Sequence, residues 1–466
     1  MTMRDKYLSA LIIAILALTS CDNDEDIYSP ATGNEVNEWI EDMMRNNYLW
    51  YQEIPKSESL NHNSDTPEFF YSLLSDKDGK WNDDKHQYFS YIEKHTPTKS
   101  SIDANDSYGF DFAISTLKDG SHSHKIALVT YVIGGSPAHK AGLRRGDWII
   151  GINGSIGSIK DYNDLKQGGA ATLQLGKIER KGDMMVMTLY KSINIGASSN
   201  IKETPFLKDS IYNIGNRKIG YLMYNFFSAG SDEYDIDDRE FDNYMIDLFS
   251  RFKGSGVNEF VLDLRYNGGG LVTSAQLLSS LLVKNEALGS VFCNMKYNDK
   301  NSKNNHTMDL LKTTEVLKGN IDLDRLYVLT GSTTASASEL VINSLRPYME
   351  VKTIGKQTIG KTVGMSVYDK SEEYGWIVSP VTFRIYNSNN EADYEDGIVP
   401  NIHIDEFSSN LVEFGELDDP LLGEAIYQIT GERPNLRSTI NSPSEMDIEY
   451  NPHQKIGGNL IIESSI

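Results

Sequence analysis

From Lys218 to Ile354 the sequence repeats one pattern, and that pattern limits the possible folds more than any other feature of the chain. A short apolar run gives way to a loop of small residues and then to an amphipathic stretch. Phe241, Tyr244, Met245, Leu248, Phe249 and Phe252 fall on one face at helical spacing, and Gly254 stands where such a helix would stop. Glu259 to Leu264 reads as a buried strand, followed by Asn267-Gly268-Gly269-Gly270 and a helix from Leu271 to Val283. A second unit runs through a strand at Leu326 to Thr330, a loop at Gly331 to Ala335, a helix at Ser336 to Arg346 closed by Pro347, and a strand at Val351 to Ile354. Parallel strands need crossover helices, so this alternation predicts a mostly parallel α/β domain, placed at residues 205–405.

The flanking segments follow other rules. Arg4 and Lys6 precede an apolar stretch from Leu8 to Leu18, too short for a bilayer that needs about 20 apolar residues. Residues 1–20 therefore read as a signal peptide, and residues 21–34 as a polar, acidic tether. Val36, Trp39, Ile40 and Met43 fall at helical spacing, and Thr66-Pro67-Glu68 starts a second helix before Phe69, Phe70, Leu73 and Leu74. A small helical N-terminal domain over 35–105 follows, bounded by the Thr/Ser/Asp-rich stretch at 96–107. Over 106–198 strand-like runs at Lys125 to Val132, Asp147 to Ile152, Ala171 to Leu175 and Met184 to Tyr190 alternate with glycine-rich turns, which predicts a compact β-module. Residues 406–466 hold a helix near Leu421 to Ile429 and then a polar tail. The fold class is thus a multidomain α+β protein.

Charge narrows the partners. Acidic residues outnumber basic ones 66 to 44, a formal charge of -22, and no basic cluster offsets it, so a nucleic-acid partner is not expected. HExxH, CxxC, GxSxG and GxGxxG motifs are absent, and the nine histidines form no ligand-like pair beyond His122 and His124 in a polar turn, so no metal or cofactor is expected. Gly355-Lys356-Gln357-Thr358-Ile359-Gly360-Lys361-Thr362 does satisfy the P-loop pattern. Phosphate binding there requires a helix directly after the lysine, whereas Val363 to Tyr368 alternates like a strand, so no nucleotide is expected. Ser336-Ala337-Ser338-Glu339 has the Ser-x-x-Glu form of a capping box. A serine in that place either caps the helix or stands as a nucleophile beside N–H groups able to stabilise an oxyanion.

Three resemblances go further. Gly134-Gly135-Ser136-Pro137-Ala138 through Gly142-Leu143-Arg144-Arg145-Gly146-Asp147 and on to Asn153-Gly154 resembles the central segment of PDZ domains. Such domains bind a peptide C-terminus as an added strand; Tyr108-Gly109-Phe110 lies where the carboxylate-binding loop would be. Leu18-Thr19-Ser20-Cys21 resembles a lipoprotein lipobox, with Cys21 as the lipidated residue, and Asp22 to Asp26 resembles the acidic export tag of Bacteroidetes-type lipoproteins. Thr334 to Glu339, then Thr358-Ile359-Gly360-Lys361, with Asp263-Leu264-Arg265-Tyr266-Asn267-Gly268-Gly269-Gly270 upstream, resemble the motifs of the carboxyl-terminal processing (tail-specific) serine peptidases.

The last resemblance implies a ClpP/crotonase-like peptidase domain in which Ser336 attacks a peptide carbonyl and Lys361 accepts its proton as a neutral amine. A lysine ordinarily holds its proton to about pH 10.4, so Lys361 must be desolvated to serve, which apolar Ile359, Val363 and Met365 allow. Gly269 and Ala337 are the expected oxyanion donors. Two departures stand out: where many members have an acidic residue and a glutamine, this chain has Pro347 and Met365. The expected protein is an exported outer-membrane lipoprotein, facing the periplasm or the cell surface, that cleaves protein or peptide substrates with exposed C-termini and meets the membrane only through its lipid. The alternative is a catalytically silent PDZ-containing adaptor.

Overall fold

The computed structural model describes residues 33–82, 85–94, 106–119, 122–156, 162, 165, 168–181, 184–231, 237–433 and 448–449. The signal peptide, Cys21 and most of the tether lie outside them. Among the described residues no helix is long and apolar enough to cross a membrane.

A six-stranded sheet carries the C-terminal half. Its order is Phe206–Ile214, Arg217–Tyr224, Glu259–Asp263, Arg325–Thr330, Glu350–Gly355 and Ile402–His403. The first pair is antiparallel and every later pair is parallel. The parallel core is what the strand and helix alternation requires, and Glu259–Asp263 is buried along its whole length. Helices Glu240–Gly254, Val272–Leu282 and Ala337–Leu345 cover one face. The first runs through Gly254 to a cap at Ser255, because the left-handed turn is made by Gly256 at φ +74°. The other face is covered by the helix Pro420–Thr430, so the C-terminal segment packs into this domain's core and is no mere appendage.

The β-module is an antiparallel sheet in the order Met184–Ile195, Ala171–Lys181, Trp148–Ile152, His122–Val132 and Phe110–Asp119. Its outer strand, Phe110–Asp119, is paired on the open side by Ile448–Glu449 from the tail, with Ile448 opposite Ser115 and Glu449 opposite Ile114.

The N-terminal helices Gly33–Asn47 and Thr66–Ser72 pack together over a core that also includes Val363, Met365, Val378 and Val381. The same region adds strands that periodicity did not show: the hairpin Lys80–Asn82 with Lys85–Gln87, and Tyr91–Lys94, which joins Trp376–Ser379. These strands are short and polar, and the last finds its partner far along the chain, beyond the reach of any local pattern. The N-terminal region is thereby stitched to the strands that follow Lys361.

Candidate active site

The buried strand Arg325–Thr330 delivers the chain to a tight loop before the helix Ala337–Leu345. Thr334 Oγ1 donates to Leu264 O at 2.7 Å, Gly331 N to Thr334 Oγ1 at 2.9 Å, and Ser338 Oγ to Asn267 O at 3.0 Å. These bonds hold Ser336 at φ 60°, ψ -115°, a backbone conformation that L-residues rarely adopt. Strain of this kind, on the order of 1–3 kcal/mol, persists only where the surroundings impose it. Ser336 is buried at 1% exposure, and among the described residues its hydroxyl has no hydrogen-bond partner. Glu339 accepts from Ser336 N at 2.8 Å, the backbone bond of the Ser-x-x-Glu capping box.

Glu339, fully buried, is the centre of the site. Its Oε1 accepts from Thr358 Oγ1 and from Gly360 N at 2.6 Å; its Oε2 accepts from Ser336 N and from Lys361 N, each at 2.8 Å. Burial pushes the carboxyl upward, and these donors pull it back toward the anion. One carboxylate oxygen therefore binds the backbones of both residues that the sequence singled out. Ile359 N, which donates to Thr334 O at 3.0 Å, adds a second tie between the two loops.

Lys361 is as secluded as base chemistry demands. It is 1% exposed, and burial brings its amine down to about 7, while the charges of Asp78 and Glu339 pull the other way. Its Nζ lies 5.1 Å from the Phe89 ring centre and donates weakly to Met365 Sδ at 3.9 Å. Strand Val363–Met365 follows, so the P-loop pattern at Gly355 to Thr362 lacks the helix that phosphate binding requires.

Gly269 lies against the serine, at φ +113°, and a Cβ there would come within 2.7 Å of Ser336 Cβ and 3.0 Å of Ala337 N. Its N–H donates to Asn267 Oδ1 at 2.8 Å, and glycine is needed at this position for space. Ala337 opens the helix, so its N–H has no intrahelical acceptor and points out at the helix mouth.

Tyr108 and Gly109 form a short loop that leads into the outer strand Phe110–Asp119 of the other sheet. Gly109 adopts φ +73° with Ser136 packed where a Cβ would be, and its N–H is taken by Ser107 Oγ at 3.0 Å. Its carbonyl accepts from Ile133 N at 2.8 Å, and Tyr108 O accepts from Ala138 N at 3.0 Å. Among the described residues no cluster of three metal-ligating side chains occurs. Sequence reasoning did not find the tie from Glu339 to Lys361, nor Asp78 and Phe89 beside the amine. The Ser-x-x-Glu spacing was a usable signal for Glu339; nothing in the sequence marked the other two.

A parallel α/β domain with a strained buried serine and a secluded lysine, preceded by a PDZ-type sheet, defines the class of PDZ-containing serine peptidase folds. Residues 218–404 match the model of peptidase family S41, residues 35–91 that of the peptidase S41 N-terminal domain, and residues 128–174 that of a PDZ domain. The crystal structure of a Bacteroides fragilis protein assigned to the S41 proteases is 31% identical, with a TM-score of 0.73 over 84% of this chain and 97% of that one. The chain belongs to peptidase family S41. It is 25% identical over 312 residues to the carboxy-terminal processing protease CtpA of Bacillus subtilis, covering 66% of this chain and 60% of that protein. It is also 25% identical over 305 residues to the chloroplastic carboxyl-terminal-processing peptidase 1 of Arabidopsis thaliana, covering 64% and 56%. It thus spans about 60% of the length of the curated relatives it matches.

Proposed function

We propose that this chain is a serine endopeptidase that hydrolyses peptide bonds in the C-terminal region of protein substrates, with Ser336 as nucleophile and Lys361 as general base. The observation that carries this reading is the Glu339 Oε2 atom shared by the backbones of Ser336 and Lys361. In the reaction the neutral amine of Lys361 takes the proton from Ser336 Oγ as the oxygen bonds to the substrate carbonyl carbon. The carbonyl oxygen becomes an oxyanion that accepts from Ala337 N–H. Gly269 N–H can join only by releasing Asn267 Oδ1. As the C–N bond breaks, the Lys361 ammonium returns its proton to the leaving amine, and water then releases the acyl group by the same steps. A base whose pKa is near 7 makes turnover rise with pH through neutrality.

The strand Phe110–Asp119 supports substrate recognition, because its outer edge accepts an added strand, here from the tail, the mode by which a peptide extends such a sheet. The domain limits 35–105, 106–198 and 205–405 and lipidation at Cys21 belong to the same proposal, as do export to the outer membrane and substrates with exposed C-termini. The test is turnover of an unstructured peptide with a free apolar C-terminus. Ser336→Ala and Lys361→Ala should each lose at least about a thousandfold, and wild-type-like turnover by either removes the chemistry. Binding of such peptides without turnover or serine-probe labelling of Ser336 points to the silent adaptor.

A further inference from the structure

On one side of Lys361 stands Met365, whose sulfur lies 3.9 Å from Nζ and is a weak acceptor. The opposite side of Lys361 is closed by the N-terminal region. Phe89 places its ring 5.1 Å from Nζ, and the backbone N–H of Phe89 donates to Asp78 Oδ1 at 3.0 Å. Ser90 N donates to the same oxygen at 3.0 Å; Tyr48 OH at 2.9 Å and Ser90 Oγ donate to Oδ2. Asp78 is fully buried: burial pushes its carboxyl upward, and the hydrogen bonds from Ser90, Tyr48 and Phe89 pull it back toward the anion. Surface anchoring does not explain a buried anion at the edge of a reaction site, and a purely structural role would be met at lower cost by a neutral side chain. The hub is also tied to the strands that follow the lysine: Val381 N donates to Ser90 Oγ at 2.8 Å, and Leu49 N to Val381 O at 2.8 Å.

We propose that Asp78 is a positioning residue for Lys361: it pins the N-terminal segment whose Phe89 ring lies against the amine, so that the N-terminal domain helps to fix where the base stands. The inference rests on the Ser336–Lys361 reading and adds a part of the chain that the sequence motifs do not include. Among the described residues, the charged groups that act on Lys361 are Asp78 and, from the nucleophile helix, Glu339; Asp78 and Glu53 in turn act on Tyr48. An anion beside an amine holds its proton on, so neutralising Asp78 lets Lys361 deprotonate at lower pH. The amine then becomes easier to deprotonate but less well aimed.

The experiment measures kcat and KM across pH for the full chain and for Asp78→Asn, with Ser336→Ala as reference. Asp78→Asn should lower kcat roughly tenfold with KM unchanged and move the acid limb of kcat/KM down by about one pH unit. Tyr48→Phe removes one of the four donors but keeps the residue; it should move the limb the same way by less, and it decides the matter if Asp78→Asn does not fold. A lower melting temperature with an unmoved limb in the folded variant reduces Asp78 to a packing residue and overturns the proposal. Turnover surviving in Ser336→Ala overturns the hydrolase reading beneath it, whereas an inactive Ser336→Ala with an unmoved Asp78→Asn limb overturns this inference alone.

Discussion

At the residue scale the site trades stability for reactivity. Lys361 keeps its proton to about pH 10.5 in an unfolded chain but only to about 7 when folded. Between those values the unfolded chain binds more protons, so stability rises with pH across that window. The penalty is fully present below pH 7 and fades toward pH 10.5. Lys361→Met removes it: urea unfolding at pH 7.5 should show a gain of about 1–4 kcal/mol, and the slope of stability against pH from 7 to 10 should flatten. Ser336 and Lys361 are singled out by the resemblance of their motifs to those of the carboxyl-terminal processing peptidases, since a serine at a helix mouth read alone serves equally as a cap. Glu339 could be read only as a helix cap, since its bonds to Gly360 and Lys361 depend on two loops meeting in space. The Asn267 side chain that occupies the Gly269 N–H likewise follows from a turn geometry the sequence does not display.

At the element scale, two features decide whether the site can work. Gly269→Ala would place a methyl against Ser336 Cβ at a backbone angle of φ +113°. It should cost about 1–3 kcal/mol and lower kcat roughly a hundredfold, as read by melting and steady-state kinetics; an unchanged kcat would show that the serine loop yields. The second feature is the outer strand Phe110–Asp119, whose edge is occupied by Ile448–Glu449. Ending the chain after Arg433 vacates that edge, and fluorescence polarisation with an apolar C-terminal peptide should then show binding roughly tenfold tighter. Equal affinity would mean that tail and peptide do not compete. The helices of the α/β domain were legible because each carries its own apolar face, whereas the strands at Lys80 to Lys94 carry no such pattern and exist through their partners.

Across the whole molecule, one buried charge cluster joins three stretches of chain. Arg265 pairs with Asp263, Glu406 and Asp419, each between 2.8 and 3.0 Å, and Arg145 from the PDZ-type sheet reaches Glu406 at 2.8 Å and Tyr266 OH at 2.9 Å. Asp419 also caps the helix Pro420–Thr430 through Leu421 N and Leu422 N. Removing one cation from such a cluster strands its carboxylates, so Arg265→Met should cost about 3–5 kcal/mol in chemical denaturation. A loss under 1 kcal/mol would show that water reaches the cluster.

The sequence by itself determined the order of parts and the parallel sheet, because periodicity and turn chemistry act over a few residues; the two residues proposed to react came from the resemblance of their motifs to a known family. Tertiary structure decided what those residues meet. The Glu339 oxygen shared by serine and lysine, the Asp78 hub beside the amine, the Arg145 and Arg265 charge cluster and the tail strand on the PDZ-type edge all join positions distant along the chain. Burial and electrostatic shifts arise from whatever surrounds a group, and only folding brings those surroundings together.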